Sequence, residues 1–379
     1  MRILHLVSNF HPFVGGVERV VQELTIFQVK NGMDPIVVFP DRLGKFTNEY
    51  EVSSVRVIPF HFPKLVLPWF MIGIPLKGKY ATAEVAKIFA DCRNLIQKEK
   101  PQIIHIHAWS EISLPVINIA RSIGIPVIFH AHQEYFSDSI RPGDQRMLSQ
   151  ASHVIAVSKA VEKSIVNRTQ ESTRVKTIHN GIEIREFPNK DAATYKRNIV
   201  MAGRFSVEKG FDLGIRAFSK VLESKVDCDL FVIGNGPEKA NLEVLVHDLG
   251  IQDKVFFKGV LSKDELLYAC HTATCVLIPT PLSESFSMLA VEAMSTGTPV
   301  IATNVGGLPE VVQNGVTGYL VEPSPEEISK TILHLFRDEM SIKEFGQNAQ
   351  IIAKKNFSVQ RFGQEIANEY AFALSGTRK

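Results

Sequence analysis

Cysteine is scarce in this 379-residue chain: Cys92, Cys228, Cys270 and Cys275 are the only four, and no two of them form a CxxC pair. Four scattered thiols cannot make a disulfide framework, so the expected compartment is reducing and cytoplasmic. Neither sign of charge is in excess. The 42 Lys and Arg face 40 Asp and Glu, a formal net charge of +2, which excludes a chain that grips nucleic acid through a strongly basic face. An anionic ligand would have to be held by a few placed cations.

A long apolar run is also missing. The longest, LVLPWFMIGIPL at residues 65–76, is broken by Pro68 and Pro75 and falls short of the roughly 20 residues that a spanning helix needs. The opening MRILHLVSNF passes directly into a strand-like run, with neither a charged n-region nor a small-residue cleavage site; no signal peptide is expected. There is no short-period repeat and no low-complexity tract. With 45% hydrophobic and 22% charged residues, a disordered, collagen-like or coiled-coil chain is excluded.

What the chain has is alternation. Short β-branched runs fall at residues 3–7, 36–39, 55–60, 103–107, 127–130, 154–157 and 175–178, then at 199–202, 230–233, 255–257, 275–278, 300–302 and 319–321. Helix-compatible segments separate them. Continuous apolar runs of this size predict strands buried on both faces, hence parallel sheets built from βαβ units. Thirteen strands are too many for one comfortable open sheet, and the length suits two domains. The predicted fold is therefore α/β, with two doubly wound parallel sheets. The strand series pauses in the polar stretch FPNKDAATYK at residues 187–196, where the domains should change. From Ser324 onward the pattern is helical.

Ligands of such sheets bind beyond the carboxyl ends of the strands, so the motifs that follow strands carry most weight. In HPFVGGVERVVQEL, Gly15 and Gly16 precede a helix-compatible run; a phosphate bound by helix N–H groups and a tight turn that binds nothing are equally good readings. In GRFSVEKG, Arg204 and Lys209 flank a short turn and could converge on a diphosphate, although surface cations are usually only solvated. In IGNGPEKANLEV, Gly234 and Gly236 surround Asn235, but Lys239 stands where the third glycine of a dinucleotide fingerprint belongs, which is weak evidence for NAD.

In TPLSESFSMLAVEAM, Glu284 falls in the loop after a strand and Glu292 in the second turn of a helix expected to start near Ser287. Two carboxylates there suit the hydroxyls of a polyol or ribose, and the N–H groups from Phe286 to Leu289, those of Ser287 and Met288 included, would favour an anion. The bland alternative is a solvated Glu near a helix start. His107 and His132 end successive strands; a lone His is more often a satisfied core residue than a catalyst. A metal held by His107, His130 and His132 is conceivable, but no carboxylate or Cys stands beside them at ligand spacing.

Taken in order, GGVE, GRFSVEKG, IGNGP, ESFSMLAVEAM and GTPVIATNVGGLPEVV resemble the retaining family 4 glycosyltransferases of the GT-B fold. NGI at 180–182 resembles that family's entry into the interdomain linker, and FSVQRFGQEIANEYAFAL its closing helix. The likeness runs over nearly the whole chain. It implies two Rossmann-like domains facing a cleft: residues 1–190 on the acceptor side, 197–355 binding the donor, and 356–379 packing back towards the first domain. It implies transfer of a sugar from a nucleoside diphosphate sugar, UDP- or GDP-linked, to a glycan, lipid-linked or small-molecule acceptor.

The resemblance also distributes roles. Arg204 and Lys209 would bind the donor diphosphate, with Gly15 and Gly16 approaching it. Glu284 would hold hydroxyls of the transferred sugar, Glu292 the ribose, and His132 would touch the sugar near the reacting centre. Asn235, Gly236 and Val260 would line the nucleotide, and Phe286, Ser287, Met288 and Leu289 would offer backbone N–H groups. No cofactor is implied beyond the donor. Two cations and two helix starts complete the charge balance, so no metal is expected. Ser287 departs from the family's usual glycine, and the stretch from Phe62 to Tyr80 matches nothing in the family. Lys64, Lys77 and Lys79 flank its apolar run without any acid, which suits peripheral contact with anionic headgroups as well as it suits a buried hairpin. The rival functions are a nucleotide-sugar epimerase of the same architecture, an NAD-dependent oxidoreductase and an inactive binding module.

Overall fold

The computed structural model describes residues 1–11, 15–42, 44–46, 48–61, 79–135, 142–151, 153–166, 169, 173–188 and 197–376. The chain divides into two compact units, Met1–Gly181 together with Val359–Lys379, and Ile182–Ser358.

The first unit contains an eight-stranded sheet made of β1 (Arg2–Leu6), β2 (Asp34–Asp41), β3 (Tyr50–Val52), β4 (Val55–His61), β5 (Ile103–Ile106), β6 (Val127–Ala131), β7 (His153–Ala156) and β8 (Arg174–Thr177). Their order across the sheet is β3-β4-β2-β1-β5-β6-β7-β8. All pairings are parallel except β3 with β4. The apolar runs form central strands because crossover helices take both faces out of water: every residue of β6 is buried, and Val7, Phe10, Val21, Val37, Phe39, Val55 and Val57 share one core.

The only strand not expected from the sequence among those described is β3. It joins β4 through Ser53 and Ser54, whose φ values of 51° and 63° are those of a two-residue type I′ hairpin. The usual Asn-Gly signal is absent there, and three residues carry no legible periodicity.

The last helix, Val359–Gly376, packs on the helix Gly16–Lys30 of the same unit. Gly363 is required at that crossing, because a β-carbon there would overlap the ring of Phe27. Arg174 of β8 holds Glu369 of the last helix through two bonds of 2.7 and 3.1 Å. Burial and that guanidinium act oppositely on Glu369, and the hydrogen bond from Arg174 dominates, holding the carboxyl below its usual range.

The second unit contains β9 (Asn198–Arg204), β10 (Asp229–Asn235), β11 (Val255–Gly259), β12 (Cys275–Ile278), β13 (Val300–Thr303) and β14 (Gly318–Val321). Their order is β11-β10-β9-β12-β13-β14, parallel throughout. Numbered within the unit this is 3-2-1-4-5-6, the dinucleotide-fold order, in which the succession of strands reverses between β9 and β12. Ile199, Phe205, Phe218, Leu230, Leu277, Ile301 and Ile332 fill the core. Local chemistry agrees with the helix starts: Ser262 makes a full capping box with Glu265, and Ser324 accepts from the Glu327 N–H with Pro325 following it.

All four cysteines are free and buried. Among the described residues, no helix is long and apolar enough to cross a membrane. Of the stretch from Phe62 to Tyr80, residues 62–78 lie outside the described residues.

Candidate active site

In the second unit the reversal point between β9 and β12 is where the sequence motifs meet. Arg204 ends β9 and is exposed, and its cross-strand partner at the end of β10 is Asn235. Lys209 closes the 3-10 turn Val207–Lys209. Its ammonium reaches across to Glu284, in the loop after β12, at 2.6 Å. Thr280 of the same loop donates its hydroxyl to the same carboxylate oxygen at 3.5 Å.

Glycines determine this geometry. At Gly210 (φ 64°) a β-carbon would strike the carbonyl of Pro279, so the turn after Lys209 lies directly on the strand end that leads to Glu284. Gly306, in the loop after β13, has φ 54°, and a β-carbon there would stand 2.5 Å from the Glu284 carbonyl oxygen and 2.8 Å from its nitrogen. The next residue, Gly307, donates its N–H to that carbonyl at 2.7 Å. Thr303 ties the loop down further through the Thr280 carbonyl, at 2.5 Å. Glu284 is therefore held at its carboxylate by Lys209 and Thr280 and at its backbone by the loop after β13. Thr280 and Gly306 were not singled out from the sequence, although the GG of NVGGLPE was a usable signal for a tight approach.

The glycines of IGNGP have a packing explanation. A β-carbon at Gly236 would overlap the backbone of Phe205, and one at Gly234 the carbonyl of Gly203. The Phe205 N–H donates to Asn235 O at 2.9 Å, and the Glu238 N–H donates to Phe205 O at 3.0 Å. Close contact of two strand ends accounts for the near match to a dinucleotide fingerprint.

The helix Met288–Ser295 starts where expected, with Ser287 as N-cap accepting from the Ala290 N–H at 3.3 Å. Met288 and Leu289 thus occupy its first turn, and Phe286 packs edge-on against Phe357. Glu292 falls in the second turn, as expected, and is 2% exposed, among buried Ala290, Val291, Ala293 and Met294. Val260 lies apart, 74% exposed in the loop after β11.

In the first unit Gly15 is the N-cap of the helix Gly16–Lys30. The Glu18 carboxylate folds back onto the N–H groups of Gly15 and Glu18, so the positive end of this helix already holds a carboxylate of its own chain. Burial dominates over those bonds and raises the Glu18 pKa. The fold does not demand glycine at 16, where a β-carbon would meet nothing within 4 Å.

His132 follows β6 and joins a network that the sequence reading resolved only in part. Histidines at i and i+2 of a strand share a face, which places His105 with His107 and His130 with His132. His5 of β1 pairs with His105. His132 Nε2 lies 3.2 Å from His107 Nδ1, and His107 Nε2 lies 2.9 Å from His5 Nδ1. His5 Nε2 meets Gln28 Oε1 at 2.9 Å. Gln28 donates to the Tyr370 hydroxyl at 3.1 Å, and that hydroxyl meets His105 Nδ1 at 2.6 Å.

Burial pushes His5 down to about 4 and His132 to about 3. It also holds His105, His107 and His130 well below the usual imidazole range, each neighbouring ring adding to the effect. All five rings are neutral at pH 7. His5, His105, Gln28 and Tyr370 were missed, because period-2 histidines on separate strands announce a cluster only once the strand order is known.

Known proteins agree with this architecture. Residues 14–186 match the family model Glycosyltransferase Family 4, and residues 182–351 match Glycosyl transferases group 1. The chain is 28% identical to an uncharacterized glycosyltransferase of Methanocaldococcus jannaschii, covering 99% of both chains. It is 26% identical to the gpi3 subunit of phosphatidylinositol N-acetylglucosaminyltransferase from Schizosaccharomyces pombe, covering 89% of this chain and 74% of that one. Among solved structures, Anabaena HepE in complex with UDP and glucose superposes with a TM-score of 0.78 at 20% identity, covering 98% of this chain and 99% of that one. The chain belongs to the family 4 glycosyltransferases of the GT-B fold and is an enzyme that transfers sugars.

Proposed function

We propose that this enzyme moves a sugar from a nucleoside diphosphate sugar to an acceptor with retention of anomeric configuration. The observation that carries the reading is the Lys209–Glu284 pair of 2.6 Å at the reversal point of the second sheet, where ligands of doubly wound sheets bind. A diphosphate entering there takes over Lys209, together with Arg204, and frees the Glu284 carboxylate to accept from sugar hydroxyls, while Thr280 steadies it. Exposed Val260 lies at the outer strand end, suited to a base, and Glu292 reaches the ribose from inside its helix. Gly16 and His132 keep the roles that the family resemblance implies.

The physical demand is that the leaving diphosphate be stabilised as the glycosidic bond breaks. Fixed cations and N–H groups oriented before the reaction meet that demand without reorganisation. As the family resemblance implies, the acceptor attacks from the face that the diphosphate leaves, and the diphosphate oxygen takes the acceptor proton. The reading draws support from a structural neighbour crystallised with UDP and glucose.

For the acceptor, we propose a lipid-linked or glycan molecule met at the cytoplasmic membrane surface. The support is the printed name of the gpi3 relative, a phosphatidylinositol N-acetylglucosaminyltransferase subunit, and the basic flanks of the apolar run after Phe62. Cosedimentation with anionic vesicles at low salt tests the membrane contact; absence of binding removes it.

A thermal-shift panel of nucleotide sugars tests the donor. At one hundred times its dissociation constant the true donor stabilises the protein by about 2.7 kcal/mol. NMR of the product's anomeric proton then tests retention. A panel with no shift, or an inverted product, overturns the reading.

A further inference from the structure

His130 presents a puzzle that sugar transfer does not use. It is 0% exposed, and neither of its ring nitrogens has a hydrogen-bond partner among the described residues. A buried polar group without a partner calls for a water or an ion. Its surroundings select between the two.

His107 and His132 stand beside it, with ring centroids 5.4 and 4.1 Å away. One ligand nitrogen from each of the three residues lies within 4.8 Å of the other two. Between His107 Nδ1 and His132 Nε2 the separation is 3.2 Å. Two imidazoles bound at about 2.1 Å to one tetrahedral cation hold their nitrogens about 3.4 Å apart. Carboxylates and thiolates are missing from the set, but three neutral imidazoles suffice for the borderline divalent cations.

We propose that His107, His130 and His132 form a binding site for a divalent transition metal of the zinc type. Its outer support is already built. His107 donates Nε2–H to His5 Nδ1 at 2.9 Å, and His5 donates Nε2–H to Gln28 Oε1 at 2.9 Å, which fixes the His107 tautomer with its Nδ1 lone pair towards His132. On binding, His132 moves its one proton from Nε2 to Nδ1, His130 keeps its proton on the nitrogen that does not ligate, and no proton is released. His132 is half-buried, whereas His107 and His130 are buried.

One consequence rests on the proposed function: the metal occupies His132 and so excludes the donor sugar. The site is inhibitory, and transfer does not require it.

The test is calorimetric titration of the full-length, untagged, metal-stripped protein with zinc chloride. One equivalent should bind in the micromolar range or tighter, and His130→Leu, close in volume, should weaken it at least a hundredfold. Cobalt(II) added to the wild-type protein should give the intense visible bands of a four-coordinate nitrogen site. This arm does not depend on the variant folding. Zinc should also inhibit transfer reversibly by EDTA, while His130→Leu keeps its activity in the presence of zinc. No stoichiometric binding, affinity unchanged in His130→Leu, or only the weak bands of six-coordinate cobalt overturns the site. Binding without inhibition leaves the metal site standing and overturns the role of His132 at the donor.

Discussion

Replacing Gly306 by alanine isolates what the loop after β13 does for Glu284. The added β-carbon would stand 2.5 Å from the Glu284 carbonyl oxygen, where ordinary contact begins at 3.4 Å. The carbonyl must therefore retreat by about 0.9 Å, and a misplacement of about 1 Å at a reacting centre costs roughly a hundredfold. Alanine at φ 54° adds about 1–2 kcal/mol of backbone strain. The control is Gly315→Ala, with φ 72° and nothing within 4 Å of the new β-carbon, which carries the strain without the collision. Gly306→Ala should lose more stability than Gly315→Ala in urea titrations, because it adds the collision to the strain, and only Gly306→Ala should lose about a hundredfold in kcat/KM for the donor. Equal activity in the two variants, whether both intact or both impaired, would refute the argument that Gly306 positions Glu284.

Lys209→Ala should cost several kcal/mol of barrier, whereas metal-stripped enzyme in excess EDTA should keep its rate, because the diphosphate charge is met by fixed cations; activity lost to EDTA and restored by magnesium would contradict this. Since Glu292 is buried, Glu292→Ala should lower Tm as well as donor affinity. Glu292→Gln should keep Tm and bind donor about tenfold more weakly, the difference between a charged and a neutral hydrogen bond; a Gln variant with wild-type affinity removes Glu292 from the ribose.

Glu369 titrates below the usual carboxyl range because of Arg174. Its stabilising contribution is therefore complete above the ordinary carboxyl pKa of about 4.5 and is lost as pH falls through the folded value. The gap between the urea midpoints of wild type and Glu369→Gln should be full at pH ~7 and should narrow as the pH is lowered below about 4.5, and a constant gap would show that the ion pair contributes nothing.

The sheets were legible because burial on both faces leaves uninterrupted apolar runs, and each of the thirteen anticipated runs is a strand. β3 was not legible, since Ser53 and Ser54 adopt hairpin angles that their identities do not advertise. Lys209 and Glu284, 75 positions apart, could be connected only through the family pattern; their contact depends on strand order, which places the ends of β9 and β12 side by side. IGNGP is ambiguous for a related reason. Glycine marks close approach, and sequence does not say whether the approaching group is a phosphate or the backbone of Phe205.

The bonds that run from Tyr370 to His132 amount to a row of turnstiles. Every member has one proton to give along the row and one lone pair to receive with, so all of them must face the same way. With the Gln28 oxygen towards His5, each ring passes its proton down the row in the direction of Gln28, and His132 is left with a bare Nδ1. If the side-chain amide turns over, every donor becomes an acceptor, and His132 Nδ1 carries a hydrogen instead. No half-turned arrangement satisfies the row, because it would set two donors or two lone pairs head to head in a buried site. The exchange of one oxygen for one nitrogen on the helix Gly16–Lys30 is thereby transmitted through two imidazoles in the sheet, and what the outermost ring offers its surroundings becomes an either-or choice made at Gln28.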